Sequence, residues 1–197
     1  MKNLNLMLIL LSAWPAVVAG QSARATSYAV SVRTATVNQT TAAATLPDDG
    51  TLAQTQTSDV TIASLVSAQD AFATATGSSD GDQSDAVSSA TLGTVNILNG
   101  LITADGVVAI STSTSGNSNT DGCSLGNLVV NGVQVSDPGP NTRLDLPGVG
   151  YVVLNEQIAT SGGVTVNMIH VVLQQQVLGG SVKTGDIIVG SASSSVN

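Results

Sequence analysis

A chain of 197 residues with five basic and 13 acidic side chains, one histidine and one cysteine excludes several classes at the outset. It has no basic surface to neutralise phosphates, so nucleic acid is not a partner, and docking to anionic lipid is disfavoured by the same deficit. The lone Cys123 forbids an intramolecular disulfide, and a single histidine does not support a zinc site.

The first residues have the layout of a secretory signal. Met1 and Lys2 form a short positive end, Leu4 to Ala13 an apolar core, and Trp14-Pro15 a break. Small residues follow, with Val17-Val18-Ala19 or Ala23-Arg24-Ala25 as cleavage sites. The apolar run is shorter than the roughly 20 residues of a membrane span. The reading is a leader over residues 1–25 and a single domain over 26–197, secreted or at the cell surface, with no transmembrane segment in the mature chain.

Removing the leader takes Lys2 and Arg24 with it and leaves Arg33, Arg143 and Lys183 as the basic residues. Tyr28, Phe72 and Tyr151 are the remaining aromatics, too few for the girdles of an outer-membrane barrel. Abundant Val, Thr, Ser, Ala and Gly suit pleated sheet, and scarce Glu, Lys and Arg argue against amphipathic surface helices.

Ser27 to Val37 alternates as a half-buried strand, with Tyr28, Val30 and Val32 expected on one face and Ser31, Arg33 and Ala35 on the other. Leu46-Pro47-Asp48-Asp49-Gly50 reads as a turn. Leu65 to Thr76 then resembles Leu101 to Thr112, and each segment is followed by a polar tract, Gly77 to Ser89 and Ser113 to Ser124. The pattern is a duplicated strand-loop-strand unit near 65–130, with the polar tracts as loops. Two copies are suggestive of a solenoid, although stable solenoids usually need three or more.

The stretch from Leu125 to Leu173 reads as two successive hairpins. Asn131-Gly132 between apolar runs is a strong hairpin signal that pairs Val130 with Val133 and Leu128 with Val135, all four on one face. Asp137 to Asn141 is a loop, and Ser161-Gly162-Gly163 a three-residue turn. That turn pairs Thr160 with Val164, Glu156 with Met168 and Leu154 with His170. Gly179 to Gly185 loops again before a final strand from Asp186. The architecture expected is all-β, an antiparallel β-sandwich of successive hairpins, with a β-solenoid as the alternative.

Three sets of residues invite a chemical reading. Glu156 and His170, the chain's only Glu and His, fall on one apolar face as diagonal neighbours, where a charge-assisted hydrogen bond or part of a metal site is conceivable. The structural pair is the better reading of the two. Asp80, Asp82 and Asp85 gather three carboxylates, the ligand type of Ca²⁺, but the segment lacks the sixth-position Gly and the position-twelve Glu of an EF-hand, so a solvated acidic loop is the better reading. Lys183 reads as an exposed loop lysine, and an isopeptide bond to an asparagine near Glu156 as the minor alternative. Asp105 or Asp186 with His170 and a serine would supply a triad by composition alone, yet no Gly-x-Ser-x-Gly elbow precedes a helix. No catalytic, cofactor-binding or metal-binding residue is therefore assigned, and no enzyme is expected.

The ordered motifs Asn127 to Val135, Pro140-Asn141-Thr142, Leu146 to Gly150, Leu154-Asn155-Glu156-Gln157, Val166 to Val171 and Gly185 to Gly190 resemble the bacterial choice-of-anchor P family. The resemblance implies a secreted or surface protein whose C-terminal anchoring device varies, and it carries no catalytic residues. Here Val189 to Asn197 has neither an apolar tail nor a basic stop, a departure from covalent anchoring. The expected function is a secreted, non-enzymatic structural or adhesive module, possible partners being itself, other surface proteins or polysaccharide. Few lysines guard its sheet edges, which favours self-association by strand addition. A glycan- or Ca²⁺-binding module is the alternative, and an undetected hydrolase comes third.

Overall fold

Every segment between turn signals is rich in β-branched and small residues, and the chain folds accordingly. The computed structural model describes residues 22–80 and 83–197. In chain order the strands are β1 Ala23–Thr34, β2 Asn38–Thr45, β3 Ala53–Ile62, β4 Val66–Asp80, β5 Gln83–Ile97, β6 Ile102–Thr114 and β7 Asn117–Asn119. There follow β8 Ser124–Leu125, β9 Val129–Val130, β10 Val133–Gln134, β11 Thr142–Leu146, β12 Gly150–Thr160, β13 Gly163–Val177 and β14 Gly180–Val196. Strands take up 75% of the described residues, which include no helix.

Two antiparallel sheets pack face to face without closing into a barrel. One has the order β11-β12-β13-β14-β1-β2, the other β10-β9-β6-β5-β4-β3, with β7 and β8 also on β6. The sandwich is the expected one, and the solenoid reading falls away. Its two meanders, β3 to β6 and β11 to β14, are runs of hairpins. Pairing of β1 with β14 joins the first and last described strands in one sheet.

Several local expectations are corrected. The turn after Thr160 is Ser161-Gly162, so Thr160 pairs with Gly163, Glu156 with Asn167, Leu154 with Ile169 and Val153 with His170. Taking Gly163 into the ladder shifts the register by one residue from the expected pairing. The polar tract after Gly77 is not a loop. Gly77 to Asp80 and Gln83 to Ser89 complete the long β4–β5 hairpin, because the short hydroxyl side chains face either solvent or a serine-lined interior. Asp80 and Asp85 thus lie on strands, while Asp82 falls outside the described residues. The Asn-Gly hairpin has the expected pairing of Val130 with Val133, but Val133 is 65% exposed whereas Leu128 and Val130 are buried. It reaches past the cover of the opposite sheet. Of the expected leader, residues 1–21 lie outside the described residues, whereas Ala23, Arg24 and Ala25 belong to β1 and pair with Val196, Ser195 and Ser194.

A transverse crease runs through both sheets. In the first sheet Asn155, Met168, Gly190, Ala29 and Ala42 stand side by side, and the regular ladder skips each of them. In the second, Ser58, Asp70, Gly93 and Gly106 do the same. Alternate strands pass the row with a left-handed residue: Asn155 (φ 48°), Gly190 (φ 66°) and Ala42 (φ 45°) in one sheet, Asp70 (φ 53°) and Gly106 (φ 85°) in the other. Gly190 is required twice over, since a Cβ there would also stand 2.7 Å from the side chain of Val107. Across the row each strand exchanges its inner and outer faces. In β6, Ile102 and Ala104 are buried before it, and Val107, Ala109, Ser111 and Ser113 after it. Tyr28 and Val30 therefore do not share a face, because the crease passes between them at Ala29.

The crease divides the interior. On one side Val30, Val32, Ile62, Ile97, Ile102, Leu154, Ile169 and Ile187 form a bulky aliphatic half. On the other, Ala25, Ala73, Ala75, Ala86, Ser88, Ser111, Ser113 and Ser194 form a thin half of small residues. There serine hydroxyls bridge the sheets. Ser27 Oγ donates to the Thr74 carbonyl at 2.7 Å, Ser88 Oγ to Ser193 O at 2.9 Å and Ser111 Oγ to Val164 O at 2.8 Å. A side chain as short as serine reaches the opposite backbone only where the sheets lie closer than the usual separation of about 10 Å.

Candidate functional site

The crease also builds a connected polar cluster. Met168 and Ile169 are successive buried residues on β13, one on each side of the face exchange. Asn167 and His170, which flank them, consequently both point outward. Across the ladder Glu156 opposes Asn167, and Asn167 opposes Ser191. Asp186 stands on β14 two pairs beyond Ile188, the partner of His170, and so on the same face. The expected pairing partners, Glu156 and His170, do meet, on the outer face of the sheet rather than the apolar inner one.

The contacts form a single chain. Lys183 Nζ lies 2.8 Å from Asp186 Oδ1, and His170 Nε2 lies 2.9 Å from the same oxygen. His170 Nδ1 lies 2.8 Å from Glu156 Oε2, which also accepts from Asn167 Nδ2 at 2.7 Å. Ser191 Oγ donates to Asn167 Oδ1 at 2.7 Å. The His170 and Glu156 side chains are only 16% and 18% exposed and Asp186 22%, so solvent screens the clamp weakly.

Charge follows from this geometry. Each ring nitrogen of His170 faces a carboxylate oxygen, which accepts and does not donate, so this geometry favours the doubly protonated ring. The hydrogen bond to Glu156 raises the His170 pKa above its ordinary value, against burial and with help from Asp186. The bond from His170 holds Glu156 below the usual carboxylate range. Burial pulls Asp186 upward, but the bonds from Lys183 and His170 outweigh it, and its carboxyl also ends below the ordinary value. An imidazolium with both protons committed has no lone pair to serve as a general base. The cluster is a clamp, tying β12, β13 and β14 together over the crease.

The other candidates do not converge on it. Among the described residues, no three His, Cys, Asp or Glu groups are arranged to hold a metal ion. Asp85 accepts a short hydrogen bond from Ser78 Oγ, its neighbour across the hairpin. Lys183 pairs with a carboxylate and not with an asparagine. Cys123 is half-buried beside β6, with its thiol donating to Ile110 O at 3.3 Å, and burial raises its pKa, so the reactive thiolate is disfavoured. Asp105 belongs to β6 in the second sheet, beside the crease residue Gly106, with its Oδ2 3.4 Å from Asn127 Nδ2. Tyr151 is covered by the Arg143 guanidinium at 3.8 Å, leaving it poorly placed to stack on a sugar ring.

Sequence reasoning reached Glu156 and His170 but not Asn167, Ser191 and Lys183 as their companions, and took Asp186 only as one acid among others. The usable signal was the adjacent apolar pair Met168-Ile169 inside an alternating strand, which marks a face exchange. Comparison of the chain with protein-family models, curated proteins and solved structures returns no match.

Proposed function

We propose that this protein is a secreted, non-enzymatic structural or adhesive module of the cell surface that works through its strand edges. The observation that carries the reading is the character of those edges. The outermost long strands, β2 and β3, contain no lysine, arginine or proline, the residues that commonly block edge-to-edge pairing. Support comes from the leader-like N-terminus, from the committed state of the only imidazole and from the resemblance to choice-of-anchor P proteins. An acidic, hydroxyl-rich surface keeps such a module soluble while its backbone edges remain available. Among the described residues no helix is long and apolar enough to cross a membrane.

The test is to express the full chain in its native cell and follow it by fractionation and by mass. The expected product lies outside the cytoplasm and begins at or before Ser22, since cleavage after Ala25 would remove three paired residues of β1. Cells lacking the protein should lose surface-dependent aggregation or attachment. Recovery of the full-length chain from the cytoplasm, with attachment unchanged on deletion, overturns the reading.

A further inference from the structure

Beyond the sandwich, β13 and β14 continue as a two-stranded finger. The ladder with β12 ends at Leu173 and the ladder with β1 at Gly185. The pairs from Gln174–Lys183 to Val177–Gly180 are made only between the two strands of the finger. Its tip is apolar and open to solvent: Leu178 is fully exposed, Val182 52% and Val177 46%. An isolated two-stranded ribbon is marginal in water, and exposed apolar side chains clustered on one mark a contact surface. From Gln174 to Gly185 there is also no acidic residue, in a chain of net charge −8.

Alongside the finger's base lies a groove of about 420 Å³ lined by Arg143, Asp145, Leu146, Pro147, Val149 and Gln174 to Gln176. It follows the edge of β13 past the start of β12; Gln174 N–H there donates to Val149 O at 2.7 Å, and beyond it a further antiparallel strand would fit.

We propose that the occupant of this groove is the same finger from a second copy, giving a two-fold dimer in which β13 edges pair antiparallel around Gln175 and Gln176. The inference rests on the edge-pairing function proposed above, adds the β13 edge to those of β2 and β3, and names the partner there. Finger and groove adjoin on one copy, so a two-fold axis that seats one finger seats the other, and the assembly closes rather than growing into a fibre. Electrostatics do not oppose this place, because the finger carries no carboxylate and the groove's one carboxylate, Asp145, is paired with Arg143 at 3.5 Å. The facing glutamines supply amide hydrogen bonds across the axis, and Leu178 of each copy reaches the apolar wall near Pro147 of the other. A lipid surface is the weaker occupant, since only three apolar side chains would enter it and the acidic body would be repelled by anionic headgroups.

The test is sedimentation of the full chain, purified in the processed form its cell releases, over a wide concentration range. A concentration-dependent monomer–dimer equilibrium is expected, weakened at least about tenfold by Leu178→Asp. That change lies at an exposed tip and should leave thermal unfolding of the monomer unchanged. Oxidation of the double variant Pro147→Cys with Leu178→Cys should give a covalent dimer that neither single variant gives. A strict monomer, a dimer indifferent to Leu178→Asp, or a monomer that instead co-floats with phosphatidylcholine vesicles overturns the proposal. If the monomer is nonetheless displayed outside the cell and mediates attachment, the dimer is wrong and the surface function stands. If the dimer forms but the protein is cytoplasmic, the reverse holds.

Discussion

The two halves of the interior solve the same problem by different physics. The aliphatic half holds its sheets together with large side chains removed from water, at about 25 cal/mol per Å² of apolar surface. The thin half has little such surface to bury, with alanine and serine in most inward positions. It relies instead on close approach, with dispersion contacts between the sheets and hydroxyls that bond backbone or each other, as Ser194 does with Ser111 at 2.6 Å and Ser113 at 2.8 Å. A protein with no disulfide therefore has one half sensitive to lost volume and one sensitive to added volume.

The largest expected effect tests the first half. Leu154→Ala, at a fully buried position, should cost about 3–4 kcal/mol in urea unfolding, because the cavity cannot collapse between two sheets. The matching change in the thin half runs in the opposite direction of size: Ala73→Leu should cost about 1–3 kcal/mol by forcing the sheets apart. If Ala73→Leu instead stabilises the protein, the thin half has slack and the contrast between the halves is wrong.

Next in size is the clamp that spans the crease, joining Glu156 and Asn167 on one side to His170 and Asp186 on the other. His170→Ala should cost about 2–3 kcal/mol near pH 6, the scale of hydrogen bonds to charged groups. The sign with pH follows from the direction of each shift. His170 is raised, so its contribution is complete below the ordinary histidine value of 6.5 and is lost as pH rises through the higher folded value. Glu156 and Asp186 are lowered, so theirs is complete above the ordinary values of 4.5 and 3.8 and fades as pH falls through the folded ones. Stability should therefore peak between about pH 4.5 and 6.5, and the peak should flatten in His170→Ala. An unchanged pH profile in that variant would leave the clamp without energetic weight.

Much of this was legible from the chain, within limits set by the crease. Alternation located the strands, and the Asn131-Gly132 and Ser161-Gly162 signals located hairpins. A strand read with one fixed alternation, however, carries Tyr28 to the wrong face, and Ser161-Gly162-Gly163 offers two turn lengths that differ by one residue. Gly190 and Gly106 hint at an interruption, but Ser58, Met168 and Ala29 are ordinary strand residues whose place in the row depends on their neighbours across the sheet. The serine tracts looked like loops because hydroxyls usually face water. In this fold they face a second sheet close enough to accept their hydrogen bonds.

A smaller effect probes that closeness. Ser194→Ala removes the hydroxyl shared by Ser111 and Ser113 and should cost about 1 kcal/mol. Ser194→Val should cost more than Ser194→Ala, although valine is the better strand former, because it adds bulk where the sheets are nearest.

The smallest expected effect bears on the crease that separates the halves. Asn155 and Asp70 tolerate the left-handed region comparatively well, and Gly106 and Gly190 occupy it freely. Ala42 has no such excuse: its φ is 45° on the edge strand β2, and its side chain is almost wholly buried. A left-handed conformation costs an L-residue with a Cβ roughly 1–2 kcal/mol, part of which glycine would return by its greater freedom in the unfolded chain. Ala42→Gly should therefore be neutral to stabilising by up to about 1 kcal/mol, an unusual result for glycine within a strand. Ala44→Gly, two residues on in the same strand and likewise buried but outside the row, should show the ordinary loss of about 0.5–1 kcal/mol. Equal losses at both positions would mean that the crease carries no strain at Ala42 and that the boundary between the halves is set by packing alone.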